Sequence, residues 1–202
     1  MRVYAETNFV LEMVFEQGEV ADAEALVALA GLRLVDLVVP AAALFETSET
    51  VHRRVADRRE LARRVEQELV QVGRSLSLEQ EASDVRGTLV RAATLVTERH
   101  RAVREQLMGA VRWVPLDENV LKAALQVEAE RGLEPPDAVM LASVLADAGE
   151  QGVESLFVSK NPEDFDTPDI RAALRALGCE MVFSIHAAHE RARAALRRAA
   201  PS

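Results

Sequence analysis

The sequence predicts an α/β protein, a three-layer sandwich with a central parallel sheet of five strands and helices on both faces. Short apolar, β-branched runs alternate with helical patterns along the chain, and a helical crossover separates each predicted strand from the next. The chain has 202 residues, 49% of them hydrophobic, which is enough for one sizeable core. We therefore expect a single domain over residues 1–202, elaborated by an inserted segment.

The first part of the chain predicts two strands and the helices around them. A short hydrophobic strand opens the chain and ends at Glu6. Residues 9–30 have helical spacing with a break at Gly18, which predicts two antiparallel helices. A β-branched run then stops at Pro40, which suits a buried parallel strand leading into a helix, and residues 41–49 open that helix.

Residues 50–110 predict an inserted helical hairpin. Apolar residues recur at helical spacing in two long stretches, which are separated by Gly73-Arg74-Ser75. This segment holds 12 arginines and 9 acids, so its net charge is about +3, and the rest of the chain is near −12. The total of −9 argues against a general nucleic-acid coat, because neutralising phosphates requires an excess of Lys and Arg.

The remaining chain predicts three more strands. Asp117 and Gly132 are typical of the first and last positions of the helix after the third strand, and Leu133 to Asp137 lead into a nearly apolar helix through Ala148. The other predicted elements are a third strand over residues 111–116, a fourth over 156–158, a loop over 159–168, a helix over 170–177, a fifth strand over 179–184 and a basic C-terminal helix over about 187–199.

Cysteine usage and hydropathy favour a cytoplasmic protein. Cys179 is the only cysteine and lies in a predicted strand, so it is most simply a buried thiol in a reducing compartment. Glu6 and Glu12 fall where a signal peptide needs an uncharged apolar core. The longest apolar region, residues 25–45, is broken by charged residues and Pro40, so we expect no contact with a membrane.

Four acids occupy positions that the predicted sheet would bring together. Glu6 follows the first strand, Glu46 lies in the helix after the second, Asp137 opens a buried helix and Asp164 lies in the loop after the fourth strand. The carboxyl ends of parallel strands face one edge of the sheet, where ligands bind. Two alternatives remain open, because Asp137 is also suited to capping its helix and Glu46 to a solvated helix face.

The set of motifs resembles PIN-domain nucleases in both order and residue type. The motifs that carry the resemblance are Glu6-Thr7-Asn8, Pro40 with Glu46, Pro136-Asp137-Ala138 before an apolar helix, and Ser159-Lys160-Asn161-Pro162-Glu163-Asp164-Phe165. The resemblance implies a PIN-like fold and a ribonuclease. Its catalytic and metal-binding acids would be Glu6, Glu46, Asp137 and Asp164, and its supporting residues Asn8, Ser159 and Asn161.

This sequence departs from the family at two positions. Glu6 stands where the family usually has Asp, so the carboxylate lies one methylene farther from the backbone. Asn161 stands where some members carry another acid, which lowers the local negative charge.

The residue types themselves favour Mg²⁺ or Mn²⁺ as the cofactor. Both are hard cations that take oxygen ligands, and neither His nor Cys accompanies the four acids in sequence. Several carboxylates held together repel one another by several kcal/mol unless a dication lies between them. The chemistry expected of such a site is hydrolysis of a phosphodiester.

The expected partners follow from the resemblance and from the Arg-rich helix. RNA is the implied substrate, and toxins within the family also pair with a small antitoxin protein. Arg53, Arg54, Arg58 and Arg59 are candidates for phosphate contacts. The alternatives are a solvated helix face and a surface that docks a partner or a second copy of the chain as a homodimer.

Two other function classes are kept as alternatives. A phosphoacceptor signalling domain also places acids at strand ends, but it needs a lysine at the end of a later strand, and Lys160 is the only weak candidate. The second alternative is a catalytically weak or inactive PIN-like binding or assembly module.

Overall fold

The computed structural model describes residues 1–72 and 79–199 and contains a five-stranded, all-parallel sheet. The predicted α/β class and parallel five-stranded sheet are therefore confirmed. The strands are β1 Arg2–Ala5, β2 Asp36–Pro40, β3 Arg112–Val114, β4 Ser155–Val158 and β5 Cys179–Val182, in the order β3-β2-β1-β4-β5.

The strand order places a topological switch point beside the central strand. In β1, Val3 lies opposite Leu37 of β2 on one side and Leu156 of β4 on the other. From β1 the chain continues outward on one side to β2 and β3, and from β4 it continues outward on the other side to β5. In such sheets, ligands bind beyond the carboxyl ends of the two strands where the direction changes, here β1 and β4. Glu6, directly after β1, therefore lies at the position where the topology favours a site.

Helices follow the strands much as the hydrophobic patterns predict. They are α1 Thr7–Phe15, α2 Val20–Gly31, α3 Ala42–Val72, α4 Glu79–Ala110, α5 Glu118–Arg131, α6 Pro135–Gln151, α7 Pro162–Phe165, α8 Pro168–Ala176 and α9 Ile185–Ala199. Helix α1 ends at Phe15, the next residue, Glu16, has a left-handed φ of 50°, and the predicted pair of helices is confirmed. Asp117 caps α5 through a 2.9 Å bond from the Val120 N–H, and Gly132 ends that helix at a φ of 66°.

One sequence prediction about an element was wrong. The predicted loop over residues 159–168 contains the short helix α7, which Pro162 begins with its preset φ. The helix that residues 41–49 were predicted to open is α3, which continues without interruption for 31 residues.

The chain forms two compact units, Met1–Thr47 with Arg104–Ser202 and Ser48–Val103. The second unit corresponds to the predicted hairpin. Its two helices run antiparallel. Ser48, early in α3, lies 3.4 Å from His100, late in α4, whereas Glu66, late in α3, lies 3.3 Å from Arg86, early in α4. The predicted break at Gly73-Arg74-Ser75 lies outside the described residues.

The core of the first unit surrounds the central strands. Val3, Tyr4 and Ala5 are each fully buried, so successive side chains of β1 are shielded on both faces of the strand. Helix α6 contacts α5, β2 and β3, while α9 contacts α2, β4 and β5. Among the described helices, none combines the length and the apolar character needed to cross a membrane.

A network of charges closes the amino-terminal edge of the sheet. Asp147, near the end of α6, is 8% exposed and accepts two hydrogen bonds from Arg112, at 2.6 and 2.8 Å. The Tyr4 hydroxyl donates a third at 2.7 Å, and Arg2 lies 3.7 Å away. Arg2 also donates to Asp36 at 2.6 Å. This edge therefore holds a buried acid that is well compensated by cations.

Candidate functional site

Glu6 links the end of β1 to the segment that follows β4. Its carboxylate is 3% exposed and caps α1, accepting a hydrogen bond from the Asn8 N–H at 3.0 Å through Oε2. Oε1 accepts a second, from the Lys160 N–H, at 3.2 Å. Burying an ionised acid at this position is unfavourable. Two backbone N–H donors, one from α1 and one from the segment after β4, offset part of the lost hydration energy.

Burial raises the pKa of Glu6 to about 7. The N–H groups of Asn8 and Lys160 and the side chain of Asn8 lower that pKa, while the nearby charge of Glu46 raises it further. Desolvation disfavours the ionised carboxylate, whereas the hydrogen bonds favour it. Desolvation is the larger effect, so the pKa is raised. Near neutral pH, the Glu6 carboxyl is therefore divided between its protonated and ionised forms.

Glu46 is held in place by Thr7, the residue that follows Glu6. The Thr7 hydroxyl, itself buried, donates to Glu46 Oε2 at 2.5 Å. Glu46 is half-buried near the start of α3, so the alternative of a fully solvated helix face is excluded. Thr7 thereby orients Glu46 while Asn8 supports Glu6, which gives each residue of Glu6-Thr7-Asn8 a separate contact.

Asp137 is the acid with the least compensation. It is half-buried in the first turn of α6, and within the described part of the chain no N–H or O–H group donates to its carboxylate. The N-cap of α6 is Glu134, so Asp137 is not the cap that the sequence left as an alternative. Burial raises its pKa to about 6, and the charges of Asp164, Glu46 and Glu134 raise it further.

The segment after β4 holds Asp164 through the two supporting residues that the resemblance implied. Ser159, buried, accepts a 3.0 Å hydrogen bond from the Asn161 N–H through its hydroxyl. The Asn161 side-chain amide in turn donates to Asp164. Phe165 anchors the far end, packing edge-to-face on Phe157 of β4 with ring centroids 5.5 Å apart. The segment is therefore fixed at both ends around Asp164.

The four predicted acids are Glu6, Glu46, Asp137 and Asp164, which we call the acid set. The charge of Glu46 raises the pKa of both Glu6 and Asp137, and the charge of Asp164 raises that of Asp137. No Lys, Arg or His among the described residues of the first unit forms an ion pair with any of them. Their donor atoms are all oxygens, which suits a hard cation. In the described ranges 1–72 and 79–199, however, no three His, Cys, Asp or Glu side chains are close enough together to hold a metal ion.

The predicted RNA-binding arginines lie in the second unit, on α3. Arg53, Arg54 and Arg59 are exposed, and Arg58 is half-buried. Farther along the same helix, Arg63 and Arg64 pair with Glu60 at 2.5 and 3.2 Å. The solvated, partly paired face that the sequence left as an alternative is thus seen at Arg63 and Arg64.

Sequence reasoning missed a buried network beside the acid set. Glu12 on α1 is fully buried and accepts a 2.8 Å hydrogen bond from the Lys160 ammonium, which also lies 3.4 Å from Glu19. One signal was present, since Glu12 is the only acid in the apolar run Phe9–Phe15. Its partner could not be read, because Lys160 lies 148 residues later in the chain.

The phosphoacceptor alternative does not agree with this geometry. Flavodoxin-like domains of that kind order their strands 2-1-3-4-5, whereas the order here is β3-β2-β1-β4-β5. The required lysine is also absent from the acid set, since the Lys160 side chain pairs with Glu12 and Glu19.

Comparison with known proteins assigns no family to the chain. A scan against protein-family models finds no match, and a search of curated proteins finds none either. The functional assignment therefore depends on the residues and geometry of the chain itself.

Proposed function

We propose that this protein is a divalent-metal-dependent ribonuclease with a PIN-like, three-layer fold, which hydrolyses RNA phosphodiester bonds. The observation that carries the proposal is Asp137, a half-buried carboxylate with no hydrogen-bond donor and no cationic partner in the described first unit. Burial is the largest cause of its raised pKa, and repulsion from three other acids raises the pKa further. Mutual repulsion of this kind, placed at the switch point of a parallel sheet, is typical of sites that receive a cation.

The residues present are compatible with Mg²⁺ or Mn²⁺. Each Glu6 oxygen accepts one backbone N–H, which leaves a second lone pair on each oxygen for a ligand. Glu46, Asp137 and Asp164 supply the remaining carboxylates. Side-chain rotations would be needed to bring three of them onto one ion, because no three are close enough among the described residues. When bound, the cation supplies the positive charge that activates water and stabilises charge on phosphodiester oxygens.

The chain's own residues contribute positioning. Thr7 holds Glu46 through a 2.5 Å hydrogen bond, and Asn161 holds Asp164, so two members of the acid set are oriented before any ligand arrives. Such orientation reduces the reorganisation needed when substrate binds. Asp137 has no such partner, so its carboxylate is the one most available to an incoming cation or water.

RNA binding is assigned to the basic second unit. The exposed Arg53, Arg54 and Arg59 offer phosphate contacts that the acidic remainder of the chain lacks. The toxin role within toxin–antitoxin pairs is one setting for this activity, and it would add a small antitoxin protein as a partner.

Cleavage of single-stranded RNA with and without Mn²⁺ tests the proposal. We expect cleavage by the natural chain only with the metal, and a loss of at least about 100-fold in Asp137→Asn, because that change removes one negative charge from the acid set. Asp117→Asn is the matched control, since Asn caps a helix as well as Asp does and position 117 caps α5. Equal cleavage by the natural chain and Asp137→Asn would contradict the proposal.

A second candidate is a PIN-like binding or assembly module without catalysis. It is favoured by the absence, within residues 1–72 and 79–199, of any three acidic or metal-ligating side chains close enough to hold an ion. The two candidates differ in metal binding, because an ion that binds only the folded chain raises its melting temperature. An unchanged melting temperature in millimolar Mn²⁺ would favour the binding module.

A further inference from the structure

The backbone of Lys160 contacts the acid set, but its side-chain ammonium pairs with two other acids, Glu12 and Glu19. Its backbone N–H donates to Glu6 at 3.2 Å, which places the residue at the edge of the set. Its ammonium instead donates to Glu12 at 2.8 Å and lies 3.4 Å from Glu19. The backbone and the side chain of one residue thus serve two different groups of acids.

The two acids that hold the ammonium are themselves held in place. Glu12 is fully buried, and its second oxygen accepts the Glu19 N–H at 2.5 Å. The Glu19 carboxylate accepts the Ser184 hydroxyl at 2.6 Å and the Ile185 and His186 N–H groups at 3.3 Å each. Because these contacts do not involve Lys160, the receiving pocket for the ammonium is built independently of the lysine.

Without the contacts to Glu12 and Glu19, the Lys160 ammonium would compete with a divalent cation for the acid set. Its side chain is a flexible four-carbon stem that ends in a compact charge, and its backbone is already in hydrogen-bond contact with Glu6. An ammonium released from Glu12 and Glu19 would be free to approach the carboxylate that its own backbone N–H already contacts. There it would neutralise one charge of the acid set and weaken the attraction for a dication.

We infer that Glu12 and Glu19 are positioning residues that withhold the Lys160 ammonium from the acid set and so keep the set open to a divalent cation. The inference rests on the proposed function in one respect, namely that the acid set binds such a cation. Glu12 makes the shorter contact and is the more buried of the two, so it is the residue to change.

Calorimetric titration of the full chain with Mn²⁺ tests the inference without measuring activity. Glu12→Gln keeps an acceptor for the Glu19 N–H but removes the charge that holds Lys160. We expect this variant to bind Mn²⁺ at least about 10-fold more weakly, because the released ammonium competes for the acid set. Glu12→Gln/Lys160→Met should restore the Kd to within about 3-fold of the natural chain, since the competing charge is gone.

Lys160→Met alone should bind Mn²⁺ as tightly as the natural chain or more tightly, and it provides the test if Glu12→Gln does not fold. Lys122→Met, which removes an exposed lysine paired with Glu118 on α5, is the matched control and should leave the Kd unchanged.

Each other outcome has a definite meaning. Unaltered binding by Glu12→Gln, weak binding by the double variant, or a loss of binding in Lys160→Met would overturn the inference while leaving the proposed function intact. Failure of the natural chain to bind Mn²⁺ would overturn both.

Discussion

Asp147 at one edge of the sheet and Asp137 at the other differ in how their charges are compensated. At the amino-terminal edge, Asp147 accepts two hydrogen bonds from Arg112 and one from Tyr4, and these contacts hold its pKa below the ordinary value despite burial. At the carboxyl edge, burial raises the pKa of Glu6 to about 7 and of Asp137 to about 6. Burial is common to both edges, so the difference lies in the partners.

One helix shows the contrast most directly. Asp137 and Asp147 lie at opposite ends of α6, about 15 Å apart by the rise of a helix. The same element therefore carries one acid with a bidentate arginine and another with neither a donor nor a cation in the described first unit. Because the same helix pairs Asp147 and leaves Asp137 without a donor or cation in the described first unit, the edge that holds Asp137 is the candidate site.

The largest expected effect is loss of stability in Asp147→Asn. The change leaves Arg112, Arg2 and the Tyr4 hydroxyl without their shared acceptor charge, which should lower the free energy of unfolding by about 2–4 kcal/mol. This range allows for screening, because the Arg112 side chain is 37% exposed. Urea denaturation at pH 7 measures it, with Asp36→Asn as a milder control because Asp36 is 38% exposed. A loss below about 1 kcal/mol would show that the network contributes little.

A smaller effect of opposite sign is expected from Asp137→Asn. In the presence of a chelator at pH 8, the free energy of unfolding should rise by about 1 kcal/mol, because the change relieves repulsion without removing a hydrogen bond. The same urea experiment measures it, and Asp117→Asn again serves as the control. Destabilisation by Asp137→Asn would mean that the carboxylate has a structural partner.

The smallest expected effect is on the pH dependence of stability, to which Asp137 and Glu6 contribute with one sign and Asp147 with the other. The pKa of Asp137 rises on folding from 3.8 to about 6, so the folded chain holds more protons than the unfolded chain between about pH 4 and 6. Without metal, this group makes stability fall as pH rises through that window. Glu6 extends the fall, because its pKa rises from 4.5 to about 7. Asp147 acts oppositely, since its lowered pKa makes it stabilise above about pH 4 and lose that contribution in stronger acid.

Denaturation midpoints measured from pH 4 to 8 in a chelator isolate this difference. Asp137→Asn should flatten the decline of stability between pH 4 and 6 relative to the natural chain. An identical pH dependence of the two proteins would show that Asp137 titrates in the folded chain as it does in the unfolded one.

Much of the fold was readable because the signals are local. The β-branched run before Pro40, the cap at Asp117 and the Gly132 stop each predicted a boundary that the structure has within a few residues. The short α7 was not predicted, because a helix of four residues is too short to show the spacing of apolar residues that indicates a helix.

The residues of the candidate site could be proposed from the sequence, but their electrostatics could not. Strand ends and helix starts are local features, and parallel strands must present their carboxyl ends together, so the sequence predicts that four acids meet at one edge. Whether an acid is compensated depends on residues far away in the chain. Arg112 lies 35 positions from Asp147, and Lys160 lies 148 from Glu12.

The sequence by itself therefore determined the alternation of strands and helices and the parallel sheet, since both follow from periodicity, and it predicted the four members of the acid set from their positions along the chain. Only the tertiary structure decided that Asp147 is paired, that Asp137 caps nothing and that the Lys160 ammonium faces Glu12. The physical reason is that a buried charge is stabilised by whatever lies within a few ångströms, and the folded chain alone sets those neighbours.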